Sequence, residues 1–142
     1  MEYNTNCPSG TKKVVGIDVA KDELVGSLVN GLQCLRWSNS SGGIKKLIKR
    51  LLRSKVELVV LECTGRHERA LVAALRYAEI PVHLAHAKSV RNFAKVLRQN
   101  AKSDPIDAEV LRLYGIKMTP EPTPDTPSEV KELQDLIARR ED

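Results

Sequence analysis

Three strand-like segments in a row near the N-terminus constrain the fold of this chain more than any other feature. They are VVGIDVA (14–20), ELVGSLVN (23–30) and LQCLRWSN (32–39), and the last two flank Asn30-Gly31. An Asn-Gly pair between two such runs is a strong hairpin signal, because both residues tolerate the positive φ angles of the turn. The segments therefore predict an antiparallel meander.

The chain then alternates between helical and strand-like patterns. The predicted elements are a helix at 43–54, a strand at 56–62, a helix at 67–79, a strand at 81–87, a helix at 89–100 opened by Ser89, and a last helix from the DPIDA motif to about Ile116. The strand VELVVLE (56–62) is continuously apolar, as a strand covered on both faces would be. The order β-β-β-α-β-α-β-α-α predicts an α/β fold with a mixed five-stranded sheet and helices on both faces.

Length and composition describe one ordinary soluble domain. The chain has 142 residues, 42% of them hydrophobic, and no apolar run long enough to span a membrane. Cys7, Cys34 and Cys63 show no CxxC spacing, which favours reduced thiols in a cytoplasmic protein over a disulfide framework or a zinc site. The formal net charge of +5 is a modest indication of nucleic-acid binding.

Two acidic residues lie where predicted strands end. Asp18 lies near the end of the first strand, in GIDVAK, and Glu62 ends the fourth, in VVLECTG. Residues at the carboxyl ends of parallel strands gather at one crevice, so the two acids would meet if these strands are parallel neighbours. An acid in an apolar strand is costly unless it is paired or bound to a metal.

The stretch AKSDPIDAEVL (101–111) adds two more acids and can be interpreted in two ways. In one interpretation Asp104 is the N-cap of a helix, Pro105 its first residue and Asp107 an acid near the positive end of the dipole. In the other, Asp104 and Asp107 lie on one side of the first helical turn as half of a metal site. Taken alone, Asp104 is more often a cap and Asp107 a surface acid, whereas the combination with Asp18 and Glu62 shifts the balance towards a metal site.

Four carboxylates at one place would repel each other and raise their own pKa values. A hard divalent cation with oxygen ligands, Mg²⁺ or Mn²⁺, removes this problem. Two such ions held a few ångström apart are the usual apparatus for phosphodiester chemistry. From these residues alone a metal-dependent enzyme and a purely structural set of acids both stay open.

Three motifs in order resemble one family. GIDVAK at 16–21, ECTG at 62–65 and KSDPIDA at 102–108 resemble the DEDD motifs of insertion sequence 110 family transposases, which include the Piv and MooV DNA invertases. The resemblance extends over residues 14–118. It departs from the family at AHAK (85–88), where members often carry Asn-Pro.

The resemblance implies a RuvC-like domain of the RNase H fold and a DNA transposase or site-specific recombinase. It implies that Asp18, Glu62, Asp104 and Asp107 are the catalytic carboxylates that bind Mg²⁺ or Mn²⁺. It also implies a nucleophilic serine in a further, C-terminal domain and guidance by a structured RNA, so that DNA and RNA are both expected partners. A homo-oligomer is expected for the full-length protein.

Several basic residues lie near the proposed acidic edge in the sequence. We expect phosphate contacts from these five: Lys21, Arg66, Arg91, Arg98 and Lys102. The basic face of the helix at 45–53 is by default a solvated surface. Thr64-Gly65 is a weak match to a phosphate loop and favours a tight strand–helix turn.

The predicted organisation has four parts. A disordered tail (1–13) precedes the catalytic domain (14–118), and a stiff Pro-rich linker (119–127) leads into a helix (128–142) that begins a missing domain. Two alternative functions remain, a nucleic-acid-binding module without chemistry of its own and a RuvC-like nuclease. The sequence disfavours an actin-like or sugar-kinase-like ATPase, because the phosphate loops of that fold need a glycine soon after the first Asp and none follows Asp18 before Gly26.

Overall fold

The computed structural model describes residues 13–28, 33–98 and 107–124. Its elements are β1 (Val14–Val19), β2 (Glu23–Leu28), β3 (Gln33–Ser38), α1 (Ser41–Arg53), β4 (Leu58–Glu62), α2 (Arg69–Tyr77), β5 (Val82–Ala85), α3 (Ala87–Arg98) and α4 (Ala108–Met118). This order confirms the predicted one. The Asn30-Gly31 turn, the tail at 1–12 and the predicted helix at 128–142 lie outside the described residues.

The five strands form one mixed sheet in the order β3-β2-β1-β4-β5. β1, β2 and β3 pair antiparallel as the predicted meander, and β1, β4 and β5 pair in parallel. β1 and β4 are central and lie side by side. The carboxyl ends of β1, β4 and β5 therefore reach the same edge of the sheet.

One face of the sheet is covered by α1 and α2. Side chains of alternate β1 residues, Val15 and Ile17, enter this core. The helices contribute Ile44, Leu47, Leu51, Leu71, Val72 and Leu75, all buried. α1 begins as an N-capped helix, since the Ser40 hydroxyl accepts a hydrogen bond from Gly43 N–H at 3.2 Å.

The opposite face is covered by α3 and α4, and here two helix–strand contacts depend on glycine. A Cβ on Gly16 of β1 would lie 2.0 Å from the carbonyl oxygen of Ala108 and 2.4 Å from the nitrogen of Arg112. A Cβ on Gly115 of α4 would lie 2.6 Å from Val14. α4 therefore crosses β1 closely enough for backbone to touch backbone, which fixes where its first turn lies.

Two helix starts differ from the predicted ones. α3 begins at Ala87, so Ser89 lies inside its first turn and does not open it. α2 begins at Arg69 rather than His67, because Glu68 takes the N-cap position and its side chain turns back into the preceding loop.

The Pro-rich segment after α4 lies against the edge strand β5. Thr123 N–H donates to the Val82 carbonyl at 2.9 Å, and the Thr123 hydroxyl accepts from Leu84 N–H at 2.9 Å. Residues 119–124 thus cover part of an edge that would otherwise offer unpaired backbone groups. Residues 125–127 of the predicted linker lie outside the described part of the chain. No helix within the described residues is long and apolar enough to cross a membrane.

Candidate functional site

Asp18 and Glu62 lie side by side at the carboxyl ends of the two central strands. β1 and β4 are in parallel register, with Gly16 opposite Val60 and Ile17 opposite Leu61. The next position in this register sets Asp18 beside Glu62. Alternation along β1 directs Asp18 to the same face as Gly16, the face that α4 covers. The expected meeting of these two acids therefore occurs in the fold.

Asp107 approaches this pair from above the sheet, at the start of α4. It is the N-cap of α4, and its Oδ1 accepts a hydrogen bond from Val110 N–H at 2.9 Å. The N-cap is thus Asp107 and not Asp104, which corrects the interpretation of AKSDPIDAEVL as a helix opened by Asp104. The backbone of Asp107 is extended, with φ −114° and ψ 176°, as is typical of a residue whose side chain caps a helix.

The charges of these acids act on one another. Burial raises the pKa of Asp18 above its ordinary value of 3.8, and the negative charges of Asp107 and Glu62 raise it further. Three of the four predicted carboxylates therefore share one electrostatic site. Asp104 lies outside the described residues.

The donor set suits a hard divalent cation, because it consists of carboxylate oxygens whose mutual repulsion a cation would relieve. Within the described stretches, no group of three or more His, Cys, Asp or Glu side chains already has the arrangement of a metal site. The Asp107 carboxylate is partly engaged by its cap bond.

Of the predicted phosphate-binding residues that the structure describes, Lys21 and Arg66 lie in loops at the acidic edge, and Arg91 lies on the helix that follows β5. Lys21 follows β1 in the β1–β2 turn, Arg66 lies in the β4–α2 loop and Arg91 lies on α3, and all three are exposed. Arg98 is the last residue of α3 but its side chain is outside the described set, as is the whole of Lys102.

Glu68 is a residue that sequence reasoning missed. Its carboxylate accepts from the backbone N–H groups of Thr64 (2.8 Å), Gly65 (2.7 Å) and Arg66 (3.0 Å), and from the Thr64 hydroxyl (2.8 Å). Despite burial, these hydrogen bonds lower the pKa of Glu68. Because the carboxylate already fills the cradle of N–H groups, the Thr64-Gly65 turn is not a phosphate loop. The signal in the sequence was the acid three residues after Gly65, whose φ is +76°.

Asn39 connects the two loops that follow Asp18 and Glu62. Its side-chain amide donates to the carbonyl of Ala20 at 2.8 Å and to the carbonyl of His67 at 3.2 Å. The β1–β2 turn and the β4–α2 loop are therefore held to each other. Glu68 shapes one of these loops and Asn39 joins it to the other, so both residues position the acidic edge.

A polar cluster under α4 anchors the helix that carries Asp107. Glu109 accepts from the Ser27 hydroxyl at 2.6 Å and from the guanidinium of Arg112 at 2.6 and 2.9 Å. Arg112 and Ser27 are fully buried. Removing one member would leave buried polar groups without partners, so the cluster specifies how α4 lies on β2.

Similarity to solved structures agrees with this architecture. The Thermus thermophilus RuvC structure is 18% identical over 79% of this chain and 100% of that chain, with a TM-score of 0.54. The T. thermophilus RuvC in complex with Holliday junction substrate is also 18% identical, over 79% of this chain and 99% of that chain, with a TM-score of 0.53. The fold is therefore RNase H-like, as predicted.

Comparison with curated proteins gives no match. The family model of the insertion sequence 110 DEDD transposases, described as transposase, matches residues 15–142. This range contains each of the three motifs that carry the resemblance. The chain belongs to the DEDD transposase family of the insertion sequence 110 type.

Proposed function

We propose that this chain is the metal-dependent catalytic domain of a DNA transposase and acts in strand cleavage and exchange. The observation that carries the proposal is the convergence of Asp18, Glu62 and Asp107. Burial raises the pKa of Asp18, and the charges of Asp107 and Glu62 raise it further. Such a site is costly to the fold as it stands, and perturbed carboxylates at a sheet edge are typical of functional sites.

Asp18, Glu62 and Asp107 would hold Mg²⁺ or Mn²⁺, with Asp104 as the fourth carboxylate. When bound, the metal supplies Lewis-acid stabilisation of the phosphoryl oxygens. The protein's own contribution is positioning. The β1–β4 register sets Asp18 beside Glu62, and the contact of Gly16 with α4 sets the height of Asp107 above them.

The basic residues around the edge would orient the phosphate backbone of DNA. Lys21, Arg66 and Arg91 are exposed, and Arg98 and Lys102 lie in the chain segment leading to Asp104. Contacts of this kind fix the register of a nucleic acid without reading its bases. Membership of the family supports a structured guide RNA and a homo-oligomer as further partners.

Two other functions are compatible with the fold. A RuvC-like nuclease would use the same carboxylates, and the likeness to RuvC favours it as the second candidate. A nucleic-acid-binding module without chemistry would need the basic residues but not Asp18.

A cleavage assay tests the proposal. The purified chain is incubated with duplex and four-way-junction DNA in Mn²⁺, Mg²⁺ or chelator, beside the Asp18→Asn, Glu62→Gln and Glu121→Gln variants. Glu121 is an exposed acid outside the site and serves as the control. We expect slow metal-dependent nicking in the parent and in Glu121→Gln, and at least about a 100-fold loss in the other two variants. Nicking that survives Asp18→Asn, or that needs no metal, would contradict it.

A further inference from the structure

The exposed side of α1 carries five cationic side chains and one exposed apolar side chain, Leu52. The five cations are Lys45, Lys46, Lys49, Arg50 and Arg53, and they are called here the α1 basic face. The chain has 23 Lys and Arg against 18 Asp and Glu, and α1 holds five of the cations and none of the acids. The rest of the chain therefore has equal numbers of both, so α1 alone accounts for the net charge of +5.

These cations have no partner among the residues that the structure describes. None of their side chains forms an ion pair or a hydrogen bond there. They also repel one another, because Lys45 and Lys49, Lys46 and Arg50, and Lys49 and Arg53 are four residues apart. Like charges at this spacing destabilise a helix, whereas helix faces that serve solubility mix both signs.

The α1 basic face is separate from the acidic edge. α1 packs through Ile44, Leu47 and Leu51 on the side of the sheet that receives Val15 and Ile17. Asp18 faces the other side, under α4. A nucleic acid that reaches the carboxylates along α3 would leave the α1 basic face open.

We propose that the α1 basic face binds the phosphate backbone of a second nucleic-acid segment, so that the domain holds one segment on each side of its sheet. A helix of 13 residues is about 20 Å long, enough to follow several phosphates. All five side chains are cationic and suit phosphate oxygens, and contacts to phosphates carry no sequence information. The proposal rests on the proposed function only for the presence of nucleic acid.

The test uses the double variant Lys46→Glu/Lys49→Glu, which converts all three like-charge pairs into opposite-charge pairs. The matched control is Lys13→Glu/Lys117→Glu, with the same charge change at two exposed lysines, one just before β1 and one in the last turn of α4. Binding of short DNA and RNA duplexes is followed by fluorescence anisotropy over a range of salt. The two kinds of duplex reveal whether DNA or RNA is the preferred source of the phosphates.

We expect the α1 variant to melt at a higher temperature than the parent in the absence of nucleic acid, because its repulsion is relieved. We also expect it to bind duplex at least about 10-fold more weakly than the control at low salt, with a salt slope smaller by about two. Metal-dependent nicking by the α1 variant should remain detectable. If the proposed function is wrong, nicking will be missing in the parent as well, and this result is separate from the binding result.

Two results would overturn the proposal. Equal duplex affinity in the α1 variant and the control would show that the α1 basic face does not bind nucleic acid. An acidic protein segment would then be the remaining candidate partner of this face. A lower melting temperature for the α1 variant would show that the cations already have partners in the folded chain.

Discussion

Two carboxylates near the carboxyl ends of the central strands, Glu68 and Asp18, have opposite surroundings. Glu68, in the loop after β4, is buried but accepts hydrogen bonds from three backbone N–H groups and a hydroxyl, and its pKa is lowered. Asp18, at the end of β1, is partly buried, and the charges of Asp107 and Glu62 oppose its ionisation, so that its pKa is raised. The ionised Glu68 carboxylate therefore stabilises the fold, and the ionised Asp18 carboxylate destabilises it.

These surroundings distinguish a structural acid, Glu68, from an acid that we expect to bind a ligand, Asp18. A carboxylate with its donors supplied by the chain stabilises the loop that supplies them. A carboxylate facing two like charges is stabilised only by a cation from outside. The two kinds of acid lie at the same edge, where Glu68 and Asn39 shape the loops around Asp18 and Glu62.

The largest expected effect comes from adding a side chain at Gly16, where β1 and α4 are in close contact. Gly16→Ala should destabilise the domain by about 3 kcal/mol, because its Cβ would collide with backbone atoms of α4. The displaced helix would carry Asp107 away from Asp18, and the pKa of Asp18 should fall towards its ordinary value. Chemical denaturation measures the first effect and NMR titration the second.

Gly42→Ala is the matched control for this substitution. A Cβ on Gly42 meets no atom within 4 Å, and alanine favours a helix over glycine. We expect this variant to be as stable as the parent or more so. Equal losses in the two variants would show that α4 does not rest on Gly16.

Removing the satisfied carboxylate should have the next largest effect. Glu68→Ala should cost about 2 kcal/mol of stability, since it leaves the donors of the β4–α2 loop without their acceptor. Amide exchange at Thr64, Gly65 and Arg66 should become faster in this variant. Unchanged exchange would mean that the loop holds its shape without Glu68. Glu121→Ala, at an exposed acid, is the control.

The sequence predicts the place of Asp18 better than the role of Glu68, and the reason is physical. The strand patterns place Asp18 and Glu62 at one edge, because neighbouring parallel strands end together. The role of Glu68 depends on backbone N–H groups that converge once Gly65 adopts a positive φ, and the sign of this in the sequence, an acid three residues after a glycine, is weak. The Asp-Pro pair favours Asp104 as a helix cap in one interpretation of the sequence, because Asp-Pro is a common helix start. The cap of α4 is Asp107, and the contact of Ala108 with Gly16 that holds this helix start belongs to the tertiary structure.

The smallest expected effect is the pH dependence of stability, which should have opposite signs at the two acids. The pKa of Glu68 is lowered in the fold, so its contribution is present above about pH 4.5 and is lost as the pH falls through the folded pKa. The pKa of Asp18 is raised, so protonation of Asp18 favours the fold below about pH 3.8, and this contribution is lost as the pH rises through the folded pKa.

At neutral pH and without metal, Asp18→Asn should therefore stabilise the domain slightly, by less than about 1 kcal/mol because solvent screens a partly exposed group. Glu68→Gln should destabilise it at the same pH. Denaturation curves in chelator at neutral and acidic pH compare the two. A loss of stability in Asp18→Asn at neutral pH would contradict the assignment of Asp18 as a strained acid.

The central claim is that the acidic edge binds a divalent cation. It is tested most directly by thermal melting of the parent, Asp18→Asn and Glu121→Gln with increasing Mn²⁺. A ligand that binds only the folded state at 100 times its Kd adds about 2.7 kcal/mol of stability. We predict that Mn²⁺ raises the melting temperature of the parent and of Glu121→Gln, and that Asp18→Asn loses most of this rise. An equal rise in all three proteins would contradict the claim.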